Sequence, residues 1–210
     1  MKVCEIFASI QGESTYAGVP CTFVRFTGCN LRCTYCDTKY AYDEGEDLSE
    51  DDIVREVSRL GLKTVEITGG EPLLQGETPT LLSHLAEAGF TVLLETNGSL
   101  SIREVDPRVR RILDVKCPGS GMADHNHWPN LALLTPWDEV KFVIRDQRDF
   151  LWALEVIREH HLAGRLPVLI SPVFGEVPPR EAAAWILKSG LPLRLNLQWH
   201  KYIWGPEARG

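Results

Sequence analysis

The sequence predicts an α/β fold, a mostly parallel sheet covered by helices. Three observations carry that prediction. Short runs of β-branched and aromatic residues recur along the 210 residues, amphipathic segments with start and stop signals fall between them, and chemically unusual residues gather where the strand-like runs end.

The runs at 22–27 (T-F-V-R-F-T), 64–68, 91–95, 111–115, 139–144, 167–171 and 193–198 read as strands. Between the first two, Ser49-x-x-Asp52 forms a capping-box signature for a helix reaching Leu60, with Gly61 as its stop. Residues 79–88 form the next helix, closed by Gly89, and 146–161 form an amphipathic one. Residues 179–188 close at Gly190. Two crossovers, 96–110 and 116–138, are too poor in helix formers for full helices, and the second is rich in Gly, Pro and His. No repeat or linker divides the chain, so residues 1–210 are expected to form one domain.

Composition narrows the function. With 29 acidic and 22 basic residues the net charge is −7, and no basic block offers a nucleic-acid surface. No apolar run approaches the ~18 residues of a membrane span, and the opening M-K-V-C-E-I-F lacks the apolar stretch of a signal peptide. Six cysteines are present, three within eight residues and Cys4, Cys21 and Cys117 far apart, which does not suit a disulfide framework. A reducing cytoplasm is the expected setting, with Cys4, Cys21 and Cys117 as packing residues.

The cysteine triplet is the sharpest signal. Cys29, Cys33 and Cys36 lie in G-C-N-L-R-C-T-Y-C-D-T, a C-x3-C-x2-C spacing. Three thiolates hold three irons of a 4Fe–4S cube and leave the fourth iron free to chelate a ligand and pass it an electron. Zinc is the competing reading, but it needs a fourth ligand and favours paired C-x2-C halves, and no second half follows. Other polar motifs also sit at strand ends: G-G-E-P (69–72), E-T-N-G (95–98), Asp114-Val115-Lys116, Ser171-Pro172 and Gln198-Trp199-His200-Lys201. In parallel α/β barrels those ends share the face where chemistry is built. Arg25, with apolar neighbours on its strand, points inward and needs an anionic partner, either a substrate carboxylate or an internal acid. His125 and His127 in H-N-H-W lack further ligands and read as a loop or lid, whereas Trp152, Trp185 and Trp204 read as core or subunit-interface residues.

C-x3-C-x2-C followed by G-G-E-P after the next strand resembles the radical S-adenosylmethionine (SAM) enzymes. The resemblance implies a 4Fe–4S cluster whose open iron chelates SAM. Gly69 and Gly70 would let the backbone approach the methionine amino group, and Glu71 would neutralise it. A narrower resemblance covers nearly the whole chain. The stretch I-F-A-S-I-Q-G-E-S-T-Y-A-G-V-P, the cysteine segment, I-T-G-G-E-P, E-T-N-G, P-G-S-G-M and Q-W-H-K-Y-I-W look like the 7-carboxy-7-deazaguanine synthases of queuosine and 7-deazapurine biosynthesis. That family implies a partial TIM-like barrel of about six parallel strands with three or four covering helices. It further implies ring contraction of 6-carboxy-5,6,7,8-tetrahydropterin to 7-carboxy-7-deazaguanine with loss of ammonia, Mg2+ as a further cofactor, an external one-electron donor such as flavodoxin, and a homodimer.

Site roles follow from the same resemblance. Ile10, Gln11, Gly12, Glu13, Arg25, Thr68 and His200 fall at substrate-binding positions, the Gln and Glu suiting a pterin's amide-and-amine edge. Tyr35, Cys36, Asp37, Gly70, Glu71, Asp114, Val115 and Lys116 fall at SAM-binding positions, although the family commonly shows S-P-K where this chain has Asp114-Val115-Lys116. Thr38 falls at the Mg2+ position, where substrate oxygens and water must complete the coordination. Two further classes share features of the chain: a radical SAM activating enzyme acting on a protein, and a zinc-ribbon interaction module.

Overall fold

The structure is a computed structural model that describes residues 1–206. Residues 207–210, the end of a tail whose part in the site the sequence leaves open, lie outside them. Among the described residues, nine strands form one open sheet: β1 (Lys2–Ile10), β2 (Pro20–Phe26), β3 (Glu46–Asp47), β4 (Thr64–Gly69), β5 (Thr91–Thr96), β6 (Arg110–Val115), β7 (Glu139–Ile144), β8 (Val168–Pro172) and β9 (Leu193–Leu195). Their order is β3-β1-β2-β4-β5-β6-β7-β8-β9. From β2 onward the neighbours β2, β4, β5, β6, β7, β8 and β9 are all parallel, while β1 and β3 are added antiparallel at one edge. The expected parallel barrel sheet is therefore present but unclosed, with one parallel strand more than the family resemblance implied.

The helices α1 (Glu50–Leu60), α2 (Thr78–Glu87), α4 (Gln147–Glu159) and α5 (Pro179–Ser189) cover one face, and α3 (Asn130–Leu133) and α6 (Trp199–Ile203) are single turns. The Ser49 capping box forms as the sequence predicts, and Gly61 ends α1 at φ 72°. Strand alternation then decides what faces what. Val24 and Phe26, Val65 and Ile67, Val92 and Leu94, Leu113 and Val115, and Val140, Phe142 and Ile144 all belong to the apolar core. They pack with Ile53 and Val57 of α1, Leu81, Leu82 and Leu85 of α2, and Phe150, Ala153 and Ile157 of α4. Each such buried Leu or Ile contributes about 1.5–3 kcal/mol. The residues between them point to the other face, and there the sequence places Arg25, Glu66, Thr68, Glu95, Asp114, Lys141 and Ser171.

Both crossovers lack long helices, as their composition predicts, and they brace one another. His127 N–H donates to the Gly98 carbonyl at 3.0 Å, and the buried Asn130 side chain binds Ile102 N–H at 3.1 Å and Leu100 C=O at 2.8 Å. Cys21 and Cys117 are fully buried, as expected of packing residues. Trp152 and Trp185 pack on the core, whereas Trp204 is exposed.

Two strand expectations need correction. The first strand, β1, escapes a period-two search because its pairing with β2 shifts register between Val3 and Glu5, which breaks the alternation. The last strand stops at Leu195 instead of running to residue 198. The Asn196 amide turns in to Ser171 Oγ at 2.7 Å, and the chain folds back until Trp199 N–H reaches the Gly12 carbonyl at 2.9 Å. His200 and Lys201 thus stand on the short helix α6, not at a strand end.

Candidate active site

A cavity of about 680 Å³ opens at the sheet face that carries Arg25, Glu66, Glu95, Asp114 and Lys141. One wall is the loop after β2. Gly28, at φ +96°, turns the chain out of the strand, and its carbonyl accepts from Glu71 N–H at 2.7 Å, while Gly70 N–H donates to Phe26 C=O at 3.1 Å. The G-G-E-P turn is thereby clipped to the cysteine loop. A Cβ on Gly70 would lie 2.6 Å from the Gly28 carbonyl carbon, and one on Gly69 2.6 Å from Phe26 N. Backbone-to-backbone packing already requires these glycines.

Cys29, Cys33 and Cys36 are unpaired thiols on the same cavity. Leu31 N–H lies 3.4 Å and Asn97 Nδ2 3.7 Å from Cys29 Sγ, donors of the sort that tune thiolate-bound iron. Burial holds the Cys33 thiol above its ordinary value against the attraction of Lys116. The triplet offers three thiolates, where a structural tetrahedral zinc takes four ligands. A cubane held by thiolates at three of its four irons fits this donor set. The cavity also suits a polar cofactor beside the thiols: Asp114 Oδ1 is buried without a hydrogen-bond partner, while Oδ2 accepts from Lys116 Nζ at 2.8 Å.

Glu71, expected at the SAM amino group, is engaged within the protein. Its carboxylate is fully buried and accepts from Leu73 N–H at 3.0 Å, Thr96 Oγ1 at 2.8 Å and Asn97 N–H at 2.7 Å. It is absent from the cavity lining and acts as the brace that sets Asn97 against Cys29. The Val115 side chain faces the helix layer, and neither Val115 nor Ile10, which ends β1, is among the cavity-lining residues. The other expected residues meet in the one cavity: Gln11, Gly12, Glu13, Arg25, Tyr35, Asp37, Thr38, Thr68, Gly70, Lys116 and His200.

The opposite wall is ionic. Lys141 Nζ, on β7, donates to Glu13 at 3.0 Å, is paired with Glu95 on β5, and lies 3.9 Å from Asp114 on β6. Gln11 Nε2 donates to Glu66 on β4. Burial, with the neighbouring Glu95 charge, pushes the Glu66 carboxyl well up, and burial raises Glu95 against the pull of Lys141. Glu13 also accepts from Gln198 Nε2 at 3.1 Å and Asn196 Nδ2 at 3.3 Å. Arg25 has the internal acid that the sequence reading allowed: its Nε donates to Glu5 at 2.7 Å, and Glu5 also accepts from the Tyr40 hydroxyl at 3.0 Å.

At the rim, Asp37 accepts from Lys201 Nζ at 2.6 Å, Gln198 Nε2 at 3.1 Å and the Thr38 hydroxyl at 3.0 Å. Burial opposes its ionisation, but these donors hold its carboxyl well below the usual range. Burial lowers His200, keeping its imidazole neutral beside Gly12, where a Cβ would strike Nδ1.

Glu66 and Lys141 lie in no motif, and Glu95 and Asn97 belong to the E-T-N-G motif without an assigned role; Glu66, Glu95, Lys141 and Asn97 all line the cavity. The signal was available: each of the first three is a charge inside an apolar strand run, the pattern that marked Arg25.

An open parallel sheet carrying three cysteines at the carboxyl end of its first parallel strand places the chain in a class, and comparison agrees. The profile of the radical SAM superfamily matches residues 23–182, so the chain belongs to that superfamily. It is 48% identical to the 7-carboxy-7-deazaguanine synthase of Chlorobaculum tepidum over 100% of this chain and 97% of the relative, and 45% identical to that of Koribacter versatilis over 100% of both. The chain is a member of the 7-carboxy-7-deazaguanine synthase family. Its fold is also that of QueE from Escherichia coli (TM-score 0.78, 24% identity, 95% of this chain and 94% of that one).

Proposed function

We propose that this chain catalyses the radical SAM ring contraction of 6-carboxy-5,6,7,8-tetrahydropterin to 7-carboxy-7-deazaguanine with release of ammonia. The observation that carries the reading is end-to-end likeness to synthases of that name, in a chain whose cysteine triplet and inward charges line one cavity. Substrate and product differ by ammonia alone, so the conversion needs no net oxidant or reductant. When bound, the cluster and SAM supply one-electron chemistry and a hydrogen-abstracting species, with an external donor such as flavodoxin providing the electron.

The protein's own residues bind, orient and shield. Cys29, Cys33 and Cys36 hold the cluster, and Tyr35, Asp37, Gly70, Asp114 and Lys116 line the SAM side. Gln11, Glu13 and Glu66 take the amide-and-amine edge of the pterin. Arg25, oriented by Glu5, meets the C6 carboxylate in a charge-assisted bond, and neutral His200 and Thr68 complete the pocket. Phe23, Leu31 and Val143 supply apolar lining that excludes water. Thr38 would offer a single hydroxyl to Mg2+, and with Asp37 engaged by Lys201 the other ligands would come from substrate and water. Two chains pairing as a homodimer complete the reading.

A protein-activating enzyme is the second reading, since the peptide-bound SuiB of Streptococcus suis shares the fold (TM-score 0.59, 14% identity, 82% of this chain and 47% of that one). A cavity of about 680 Å³ with many inward polar groups favours a small ligand. Anaerobic incubation of the reconstituted protein with carboxytetrahydropterin, SAM and reductant tests the choice. Product and ammonia in equal amounts support the synthase, and SAM cleavage without product counts against it.

A further inference from the structure

We propose that Lys141 is a positioning residue for the substrate-side carboxylates, its ammonium drawing Glu13 and Glu95 onto one cavity wall and linking them to the SAM-side Asp114. This deepens the synthase reading and rests on it for the identity of the ligand. No motif reasoning or family resemblance above singled out Lys141, because it lies inside β7 in the run E-V-K-F-V-I.

The geometry carries the argument. Lys141 is 4% exposed, reaches Glu13 on the β1–β2 connection, Glu95 on β5 and Asp114 on β6, and donates to the first two. The charged groups facing it from the surrounding elements are those three, Glu66 on β4, and Lys116, which is itself paired with Asp114; Arg25 on β2 is paired with Glu5, and His200 on α6 is neutral. Glu13, Glu66, Glu95 and Asp114 thus outnumber Lys141 and Lys116. An anionic carboxylate is the right acceptor for the N–H groups on a pterin edge. Without Lys141, adjacent buried acids cannot all stay ionised, and protons replace the lost cation. A protonated carboxyl presents an O–H where the ligand needs an acceptor. Lys141 therefore acts through Glu13 and Glu95 and does not itself touch the reacting atoms.

The test pairs Lys141→Gln with Lys141→Arg. Lys141→Gln is expected to raise KM for carboxytetrahydropterin about tenfold or more at neutral pH and to move the acid limb of kcat/KM to higher pH. Iron content and SAM affinity should stay near wild type. Lys141→Arg, which keeps the charge on a wider plane, should fall between the two. A folded Lys141→Gln protein with unchanged KM and acid limb overturns the proposal. If that variant fails to fold, the neutral-carboxyl count of Lys141→Arg by infrared spectroscopy decides: a count equal to wild type supports a role through charge, and an added neutral carboxyl despite the retained cation overturns it. A substrate-free measurement separates this inference from the synthase reading. Infrared spectra of the cluster-free proteins should show one more neutral carboxyl in Lys141→Gln than in wild type at neutral pH. An equal count overturns the positioning role, whereas a wild-type protein that leaves the pterin untouched overturns the synthase reading alone.

Discussion

The two walls of the cavity are built by opposite means. The cysteine wall is a loop held by backbone hydrogen bonds and glycines, with its one anionic brace, Glu71, accepting three donors. The strand wall is rigid β-sheet from which charges project into a buried, incompletely neutralised cluster around Lys141. A loop is set by local geometry, so its requirements are compact motifs. The sheet wall arises from residues remote in sequence that parallel register brings side by side, as with Asp114 opposite Lys141. In the proposed reading one wall would hold the iron–sulfur cluster, while the other keeps unspent electrostatic interaction for a polar organic ligand.

The largest effects should fall on the cysteine wall. Cys29→Ala, Cys33→Ala or Cys36→Ala is expected to abolish stoichiometric iron and all turnover while the circular dichroism spectrum stays that of the wild type. Gly70→Ala comes next. Its new Cβ would sit 2.6 Å from the Gly28 carbonyl carbon and 2.9 Å from Cys29 Cβ, so the loop must shift, and iron loading and activity should drop about tenfold or more.

On the strand wall the sign reverses for stability. The Glu66 carboxyl is raised in the folded protein, so its contribution is favourable at low pH and is lost as pH rises through the folded value. Glu66→Gln should therefore unfold at a higher temperature than wild type in mildly alkaline buffer, by a few degrees, with the gap closing on acidification. The same variant should bind substrate more weakly, separating stability from function on that wall. Thr38→Ala should leave iron intact and flatten the activity response to added Mg2+; an unchanged response would remove Thr38 as a ligand. Smallest is Ser49→Ala, far from both walls, which should cost about 1 kcal/mol in denaturant melts without changing kcat/KM.

The asymmetry also explains what could be read from the sequence. The parallel strands, the long helices and their caps follow from local pattern, and the cysteine loop follows from spacing. The bonds of Glu71 to Thr96 and Asn97 are not legible, because they form only once β4 and β5 are adjacent. Strand alternation places the Val115 side chain in the core and leaves Asp114 on the opposite face, a split that a contiguous motif does not display. Arg25 was legible as an inward charge, but Glu5 as its partner was not, since β1 itself is masked by a register shift. Lys141 and Glu66 needed the whole sheet before their proximity to Glu95 had meaning.

The most direct test of the central claim, that both walls serve one ring-contracting site, is the ratio of product to SAM consumed in an anaerobic assay of the reconstituted protein with carboxytetrahydropterin. The account predicts many molecules of 7-carboxy-7-deazaguanine for each SAM lost, because the hydrogen taken from substrate is returned. One SAM destroyed per product, or SAM destroyed with no deazaguanine formed, would contradict it.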